Sequence, residues 1–278
     1  MAAASACASA TTVGICQLVQ HEALDAATQG FKDALTEKMP DVQFDEQNAA
    51  GDAATCVTIT RKFAADGVDL ILANATSPLQ AAVSATGDIP ILGTSITDYA
   101  TALGMKEWNG TTGINVSGTS DLAPLDGQAA MIQELFPDAK NIGLIYCSAE
   151  ANSVYQITTI KGYLEEMGYT CTEFAFTDSN DVASVTQSAA DSSDVVYIPT
   201  DNTAAAYTET IANVLIPAKV PAVVGEEGIC KGCGVATLTI SYYDLGYKTG
   251  EMAYDILANG ADVSTMKIES APNFTKKY

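Results

Sequence analysis

At 278 residues the chain is long enough for roughly two domains, each with its own core. With 47% hydrophobic and 17% charged residues, it has the composition of a folded globular protein rather than a disordered one. Its 34 acidic residues against 13 basic ones leave a net charge of −21, which repels phosphate backbones and anionic lipid and so argues against nucleic acid as a partner.

Residues 1–11 are small and polar and read as a flexible linker. No charged n-region or apolar h-region of a signal peptide is present, and no apolar run reaches the ~20 residues of a membrane span. Ala4-Ser5-Ala6-Cys7 is similar to the end of a bacterial lipobox, with Ala4 where leucine is usual. Cys7 is therefore a candidate for lipidation, and a plain linker cysteine is the alternative.

From there the chain alternates. Val13–Cys16 reads as a strand and Asp25–Met39 as a helix with Ala27, Phe31, Ala34 and Leu35 on one face. Val42–Glu46 is a strand, Ala54–Ala65 a helix, Val68–Ala73 a strand, Pro78–Ala85 a helix and Ile89–Leu92 a strand. The cycle restarts at Asn141, with strands at Ile142–Tyr146, Cys171–Phe176, Val195–Ile198 and Ala222–Val224. Helices at Val154–Met167, Val182–Ala190 and Thr203–Leu215 separate them. Such alternation implies right-handed βαβ units and an α/β fold with two parallel sheets.

The halves also match each other. Gly67–Pro78 (G-V-D-L-I-L-A-N-A-T-S-P) aligns with Ser192–Thr203 (S-S-D-V-V-Y-I-P-T-D-N-T), and D-I-P-I-L-G-T-S (88–95) with K-V-P-A-V-V-G-E-E (219–227). Ligands of open α/β sheets bind beyond the carboxyl ends of the strands. Two lobes with facing strand ends therefore make a cleft, and each polar turn stands at its edge.

Six segments stand out: G-I-C-Q-L-V-Q-H-E-A-L-D-A-A-T-Q-G-F (14–31), D-L-I-L-A-N-A-T (69–76), N-V-S-G-T-S-D-L (115–122), Y-I-P-T-D-N-T (197–203), V-V-G-E-E-G (223–228) and S-Y-Y-D-L-G-Y-K-T-G (241–250). In this order they resemble one family of bacterial ABC-transporter substrate-binding proteins associated with aromatic amino acid uptake. The resemblance runs over about residues 12–275. It implies a periplasmic-binding-protein type I fold: two Rossmann-like parallel-sheet lobes joined by a three-strand hinge. Gly113–Ser120 and Val235–Ser241 are the expected first two crossings. Leu245–Ala258 would then return to the first lobe and Val263–Ile268 to the second. The first lobe comprises 12–117 plus 241–262, and the second 118–240 plus 263–278.

Catalysis finds little support. His21 is the only histidine, beside Glu22 in the first strand-to-helix loop, and no G-x-S-x-G accompanies it. It reads as a surface residue at a helix start or as a ligand contact. Neither G-x-G-x-x-G after a strand nor a P-loop motif occurs, so no cofactor is expected and the protein is not read as an enzyme. Cys16, Cys56 and Cys171 read as buried thiols, and Cys147 as packing or a cleft contact. Cys230-Lys231-Gly232-Cys233 lacks the further ligands of a zinc site. Its glycines suggest a turn, where a disulfide between Cys230 and Cys233 is expected in an exported protein, with two free thiols as the rival reading.

The strand ends suggest a zwitterion. Ser77, before Pro78, reads as an N-cap whose helix start suits a carboxylate, and Thr76, Thr94 and Ser95 add hydroxyls. Arg61, the only arginine, lies within a helix, so no arginine clamp is expected. In the second lobe Asp201 and Glu226 stand at the equivalent ends as ammonium partners. Capping alone would also explain Ser77 and Asp201, and a solvated pair would explain Glu226 and Glu227. Asp121, Asn152, Ser153 and Asn202 complete the polar set. Leu18, Val19 and His21, with Tyr155, Tyr242 or Tyr243, supply a wall for a ring.

The function expected is that of a monomeric extracytoplasmic binding component of an ABC importer. It takes a free amino acid, with the aromatic side chain implied by the resemblance, and hands it to a permease. It would sit on the outer face of the cytoplasmic membrane as a lipoprotein, or in the periplasm, touching membrane only through an N-terminal lipid. The alternative is a ligand-sensing module of a receptor or regulator with the same fold.

Overall fold

The computed structural model describes residues 10–271 and 273–278. Cys7, the lipidation candidate, lies outside them. The first lobe begins β1 (Thr12–Gln17), α1 (Glu22–Lys38), β2 (Gln43–Asn48), α2 (Ala53–Asp66), β3 (Leu70–Asn74) and α3 (Thr76–Ala85), and continues through β4 (Ile91–Ile96), α4 (Tyr99–Leu103) and β5 (Val116–Ser120). The second follows with α5 (Leu125–Leu135), β6 (Asn141–Cys147), α6 (Ala151–Glu166), β7 (Thr170–Phe176), α7 (Val182–Ala190) and β8 (Val195–Ile198). It continues with α8 (Asn202–Ala206), α9 (Thr208–Ala218), β9 (Ala222–Val224), α10 (Glu227–Cys233) and β10 (Ala236–Thr239). Then come α11 (Tyr242–Asn259), a 3-10 turn at Val263–Thr265, β11 (Glu269–Ser270) and β12 (Thr275–Lys277).

Two six-stranded sheets result, in the orders β11-β5-β4-β3-β1-β2 and β12-β10-β9-β8-β6-β7. Apart from the antiparallel β10–β12 pair, neighbouring strands run parallel. The α/β architecture with two parallel sheets is that expected from the alternation. Central strands such as β3 (L-I-L-A-N) are buried along their whole length, as strands covered on both faces must be. Their carboxyl ends point towards the other lobe.

The chain leaves the first sheet at Ser120, and α5 packs in the second lobe's core with Ile142 and Leu144. It returns between Thr239 and Tyr242, because α11 covers the first core beside Val13 and Ile15. The third crossing lies between β11 and β12. Val263–Ile268, expected to enter the second lobe, stays in the first: Val263 and Met266 pack on its core and Met266 O accepts from Ser117. The final crossing therefore comes a few residues later.

Helix α11 lies unusually close to α1. A Cβ on Gly246 would sit 1.9 Å from Ala27 O, and one on Gly30 2.1 Å from Tyr243 O. Only glycine lets the two backbones approach this far.

Candidate ligand-binding site

The lobes face each other across the strand ends and touch there. His21, in the turn after β1, reaches Asn202 at the start of α8, with Nε2 3.2 Å from Oδ1. Gln156 of α6 donates to Thr97 Oγ1, after β4, at 3.5 Å. Glu22 of α1 pairs with Lys231 of α10. A cavity of about 450 Å³ opens between the lobes. Leu18, Val19 and Ser77 line it from the first lobe, and Glu150, Asn202 and Tyr207 from the second.

The expected site residues divide by what they bond. Asp201 caps α8 through Ala204 N at 2.8 Å, and its other oxygen accepts from Cys147 N and Ser153 Oγ, each at 2.7 Å. Glu226 caps α10, with Gly228 N at 2.6 Å and Ile229 N at 2.5 Å. Asp201 therefore does the capping work that the sequence left as its alternative, while Glu226 is a buried cap rather than half of a solvated pair with Glu227. Burial, with Glu150's charge beside Asp201, raises each to about 7. Asn152 donates to Glu150 and to Thr200 O. Thr94 is turned away from the cleft, its hydroxyl bonded to Thr119, which also meets Thr249 of α11. Thr76 is buried at the start of α3, whose N-cap is Ala75, so Ser77 lies in the first turn and is not the cap expected of it.

Glu150 was not anticipated. Its carboxylate accepts from Asn202 N and Nδ2 and from Thr203 N and Oγ1, at 2.7–3.0 Å, besides Asn152. The pattern C-S-A-E after β6 places it at a strand end, and that position was the available signal. Tyr207 was also missed, because Thr203–Leu215 reads as one helix. The helix breaks at Tyr207 (φ −123°, ψ 29°), which leaves the ring half-exposed at the cavity. By contrast Tyr243 is exposed, its hydroxyl on Asp33 at 2.9 Å, and lines not this cavity but another of about 320 Å³, with Glu22 of the first lobe and Glu226 of the second. Tyr155 is half-buried, with its phenol raised by burial and by the Asp98 charge.

The first lobe is the less satisfied of the two. Among the described residues the buried side-chain atoms without a partner are His21 Nδ1, Asn74 Oδ1, Ser95 Oγ, Asp121 Oδ1 and Thr237 Oγ1. An unpaired buried polar atom costs about 1–3 kcal/mol. Four of the five stand at or just beyond the carboxyl ends of β1, β3, β4 and β5. Backbone strain gathers there too: Ala50, Ala75 and Ser95, after β2 and β3 and within β4, have φ of 52°, 99° and 57°.

Cys230 and Cys233 are free thiols, and the segment is not the expected glycine-rich turn. It is the last turn of α10, with Cys233 Sγ donating to Ile229 O at 3.5 Å. Cys147 lines the cavity, its thiol raised to about 11 by burial and by Asp201 and Glu150. Among the described residues no three His, Cys, Asp or Glu side chains converge to hold a metal, and no helix is long and apolar enough to cross a membrane.

Residues 12–276 match the family described as ABC transporter substrate binding protein. The chain belongs to that family. Members bind small-molecule ligands outside the cytoplasmic membrane and deliver them to a permease. A relative from Clostridioides difficile (strain R20291), called tyrosine-binding protein, is 38% identical over 249 residues, 88% of this chain and 72% of its own. A domain from Streptococcus pneumonia, crystallised with L-Trp, is 31% identical and superposes with a TM-score of 0.92 over 96% of this chain and 91% of its own. The ligand-free, open form of a substrate-binding protein with adhesive properties from Clostridium difficile is 38% identical over 96% and 91%, yet its TM-score is 0.71. In this binding protein the cross-lobe contacts described above hold the two lobes together in a closed arrangement. A LacI-family regulator at 13% identity shares the fold alone.

Proposed function

We propose that this protein binds a free aromatic L-amino acid, tyrosine, phenylalanine or tryptophan, between its lobes for delivery to an ABC permease. The observation that carries the reading is the closed arrangement, matched to a structure holding L-Trp at a TM-score of 0.92. The relative named for tyrosine supports it. The cavity of about 450 Å³ has the size range of small-molecule sites. Leu18 and Val19 on one side and Tyr207 on the other offer a ring two apolar faces. Polar side chains at the strand ends offer a zwitterion hydrogen bonds in place of an arginine clamp. The protein works as an exported monomer, held at the membrane by a lipid on Cys7 or free in the periplasm.

Calorimetry with the twenty amino acids tests this. Aromatic ones bind, unchanged after incubation, and small-angle scattering shows the radius of gyration falling as the lobes close. If no amino acid binds, or if the bound one is turned over, the reading is wrong.

A further inference from the structure

We infer that Asp121 and Ser95, on neighbouring strand ends of the first lobe, hold the ammonium and the carboxylate of the bound amino acid. Both poles of the zwitterion are then read by one lobe, and the second closes over them. The inference rests on the amino-acid reading above and names the residues that enforce it.

The four buried acids near the cleft differ in what they have left to give. Glu150 accepts five hydrogen bonds, Asp201 three and Glu226 two, all from protein donors. Asp121 is 4% exposed, and Oδ2 takes the Tyr242 hydroxyl at 2.8 Å. Its Oδ1 is buried with no partner. An acceptor-only oxygen in that position calls for a donor, and an ammonium is a charged one. Ser95 Oγ is likewise buried and unpaired, and a hydroxyl can donate to a carboxylate.

The two groups are neighbours. β4 and β5 are paired, about 4.8 Å apart, and Asp121 N donates to Ile96 O, the residue after Ser95, at 3.1 Å. A donor and an acceptor one strand apart suit the two poles carried on a single α-carbon. Neither lines the cavity of about 450 Å³, but Gln156 of α6 reaches Thr97, two residues past Ser95, so the second lobe closes over this strand end. Asp121 also begins the first crossing, and its partner Tyr242 follows the second, so the acid sits between two hinge strands. Filling its free oxygen places the ligand's charge beside the hinge.

Three ligands and two variants test it by calorimetry: L-tyrosine, its deamino analogue 3-(4-hydroxyphenyl)propanoate, and tyramine, which lacks the carboxylate. Wild type prefers tyrosine to both. Asp121→Asn loses about 100-fold for tyrosine, the loss typical of a broken buried charge pair, and little for the deamino analogue. Ser95→Ala narrows the preference over tyramine and leaves that over the deamino analogue, so either variant decides even if the other does not fold. Wild-type discrimination in a folded Asp121→Asn or Ser95→Ala overturns the inference, as does loss of ammonium discrimination in Glu226→Gln instead. A wild type that binds no amino acid refutes the proposed function rather than this assignment.

Discussion

His21 Nε2 donates to Asn202 Oδ1 across the cleft, and the direction is fixed by the Asn202 amide, whose Nδ2 donates to Glu150 Oε2 at 2.7 Å. The imidazole is thereby held as the Nε2–H tautomer, and burial lowers its pKa so that it stays neutral at pH 7. Beside it Glu22 pairs with Lys231, which also meets Glu227 at 3.1 Å. These ties join the lobes without any ligand, so they favour closure. The ion pair is exposed and worth about 0–1 kcal/mol. Lys231→Ala is therefore expected to weaken amino acid binding only about two- to fivefold, and to flatten its salt dependence. Calorimetry at low and high salt checks this; equal salt slopes for variant and wild type would speak against a clasp.

Asp201 and Glu226 give the free protein an inverted pH dependence. Both are raised from ordinary values of 3.8 and 4.5 to about 7, first of all by burial. Between those limits the folded state holds protons that the unfolded state has released, so stability falls as pH rises. It is fully present below about pH 4 and lost through about 7. A tenfold change in proton affinity is worth about 1.4 kcal/mol, and a chain of this size shifts by about 2–4 °C per kcal/mol. The melting temperature should drop by several degrees between about pH 5 and pH 8, and substituting both acids by their amides should remove most of the slope. A melting temperature that rises over this range contradicts the assignment.

Gly246 sets the α1–α11 contact. Its missing Cβ is what allows Ala27 O to lie where a methyl would be, with backbone rather than a flexible side chain as the obstacle. Gly246→Ala must push the helices apart, and overpacking of this kind costs about 1–3 kcal/mol or more. Thermal unfolding should report a drop of about 2–12 °C. A neutral result would mean that the helices separate freely.

Most of the architecture is legible in the sequence because the strands are short apolar runs bounded by turns, and Val182–Ala190, Val195–Ile198 and Ala222–Val224 carry the same limits in the structure. Elements without such a pattern stay hidden. α10 is a seven-residue helix with two glycines and two cysteines, stabilised by the Glu226 cap rather than by propensity. β12 is fully exposed and polar, placed by pairing with β10 and by ion pairs from Lys276 to Glu134 and Lys277 to Glu227. At the site, residue type and strand-end position single out Asp121, Asp201 and Glu226 alike. Which carboxylate has a free oxygen depends on partners distant in sequence, such as Tyr242 for Asp121, and no local pattern reports that.

Cys230 and Cys233 should remain separate thiols. They lie three residues apart in the last turn of a helix, with burial raising both and Cys233 already engaged by Ile229 O. A raised thiol holds little thiolate, the species that starts disulfide exchange. Alkylation of the unfolded, unreduced protein followed by peptide mapping should find both cysteines modified. An unmodified, disulfide-linked peptide would instead restore the bridge that their spacing suggests.

Tyr207 is the side chain whose loss should separate binding from stability. It stands at the break between α8 and α9, half-exposed, and lines the cavity opposite Leu18 and Val19. Little of the core rests on it, so Tyr207→Ala should leave the melting temperature of the free protein within about a degree or two, as surface substitutions generally do. A bound ring would lose buried area and an aromatic contact worth about 0.5–1.5 kcal/mol beyond burial. Together these should weaken tyrosine, phenylalanine or tryptophan by roughly tenfold or more. Tyr207→Phe keeps the ring and should bind as wild type does, which separates stacking from any use of the hydroxyl. Calorimetry on the three proteins decides it: unchanged affinity in Tyr207→Ala would place the ring of the ligand elsewhere in the cleft.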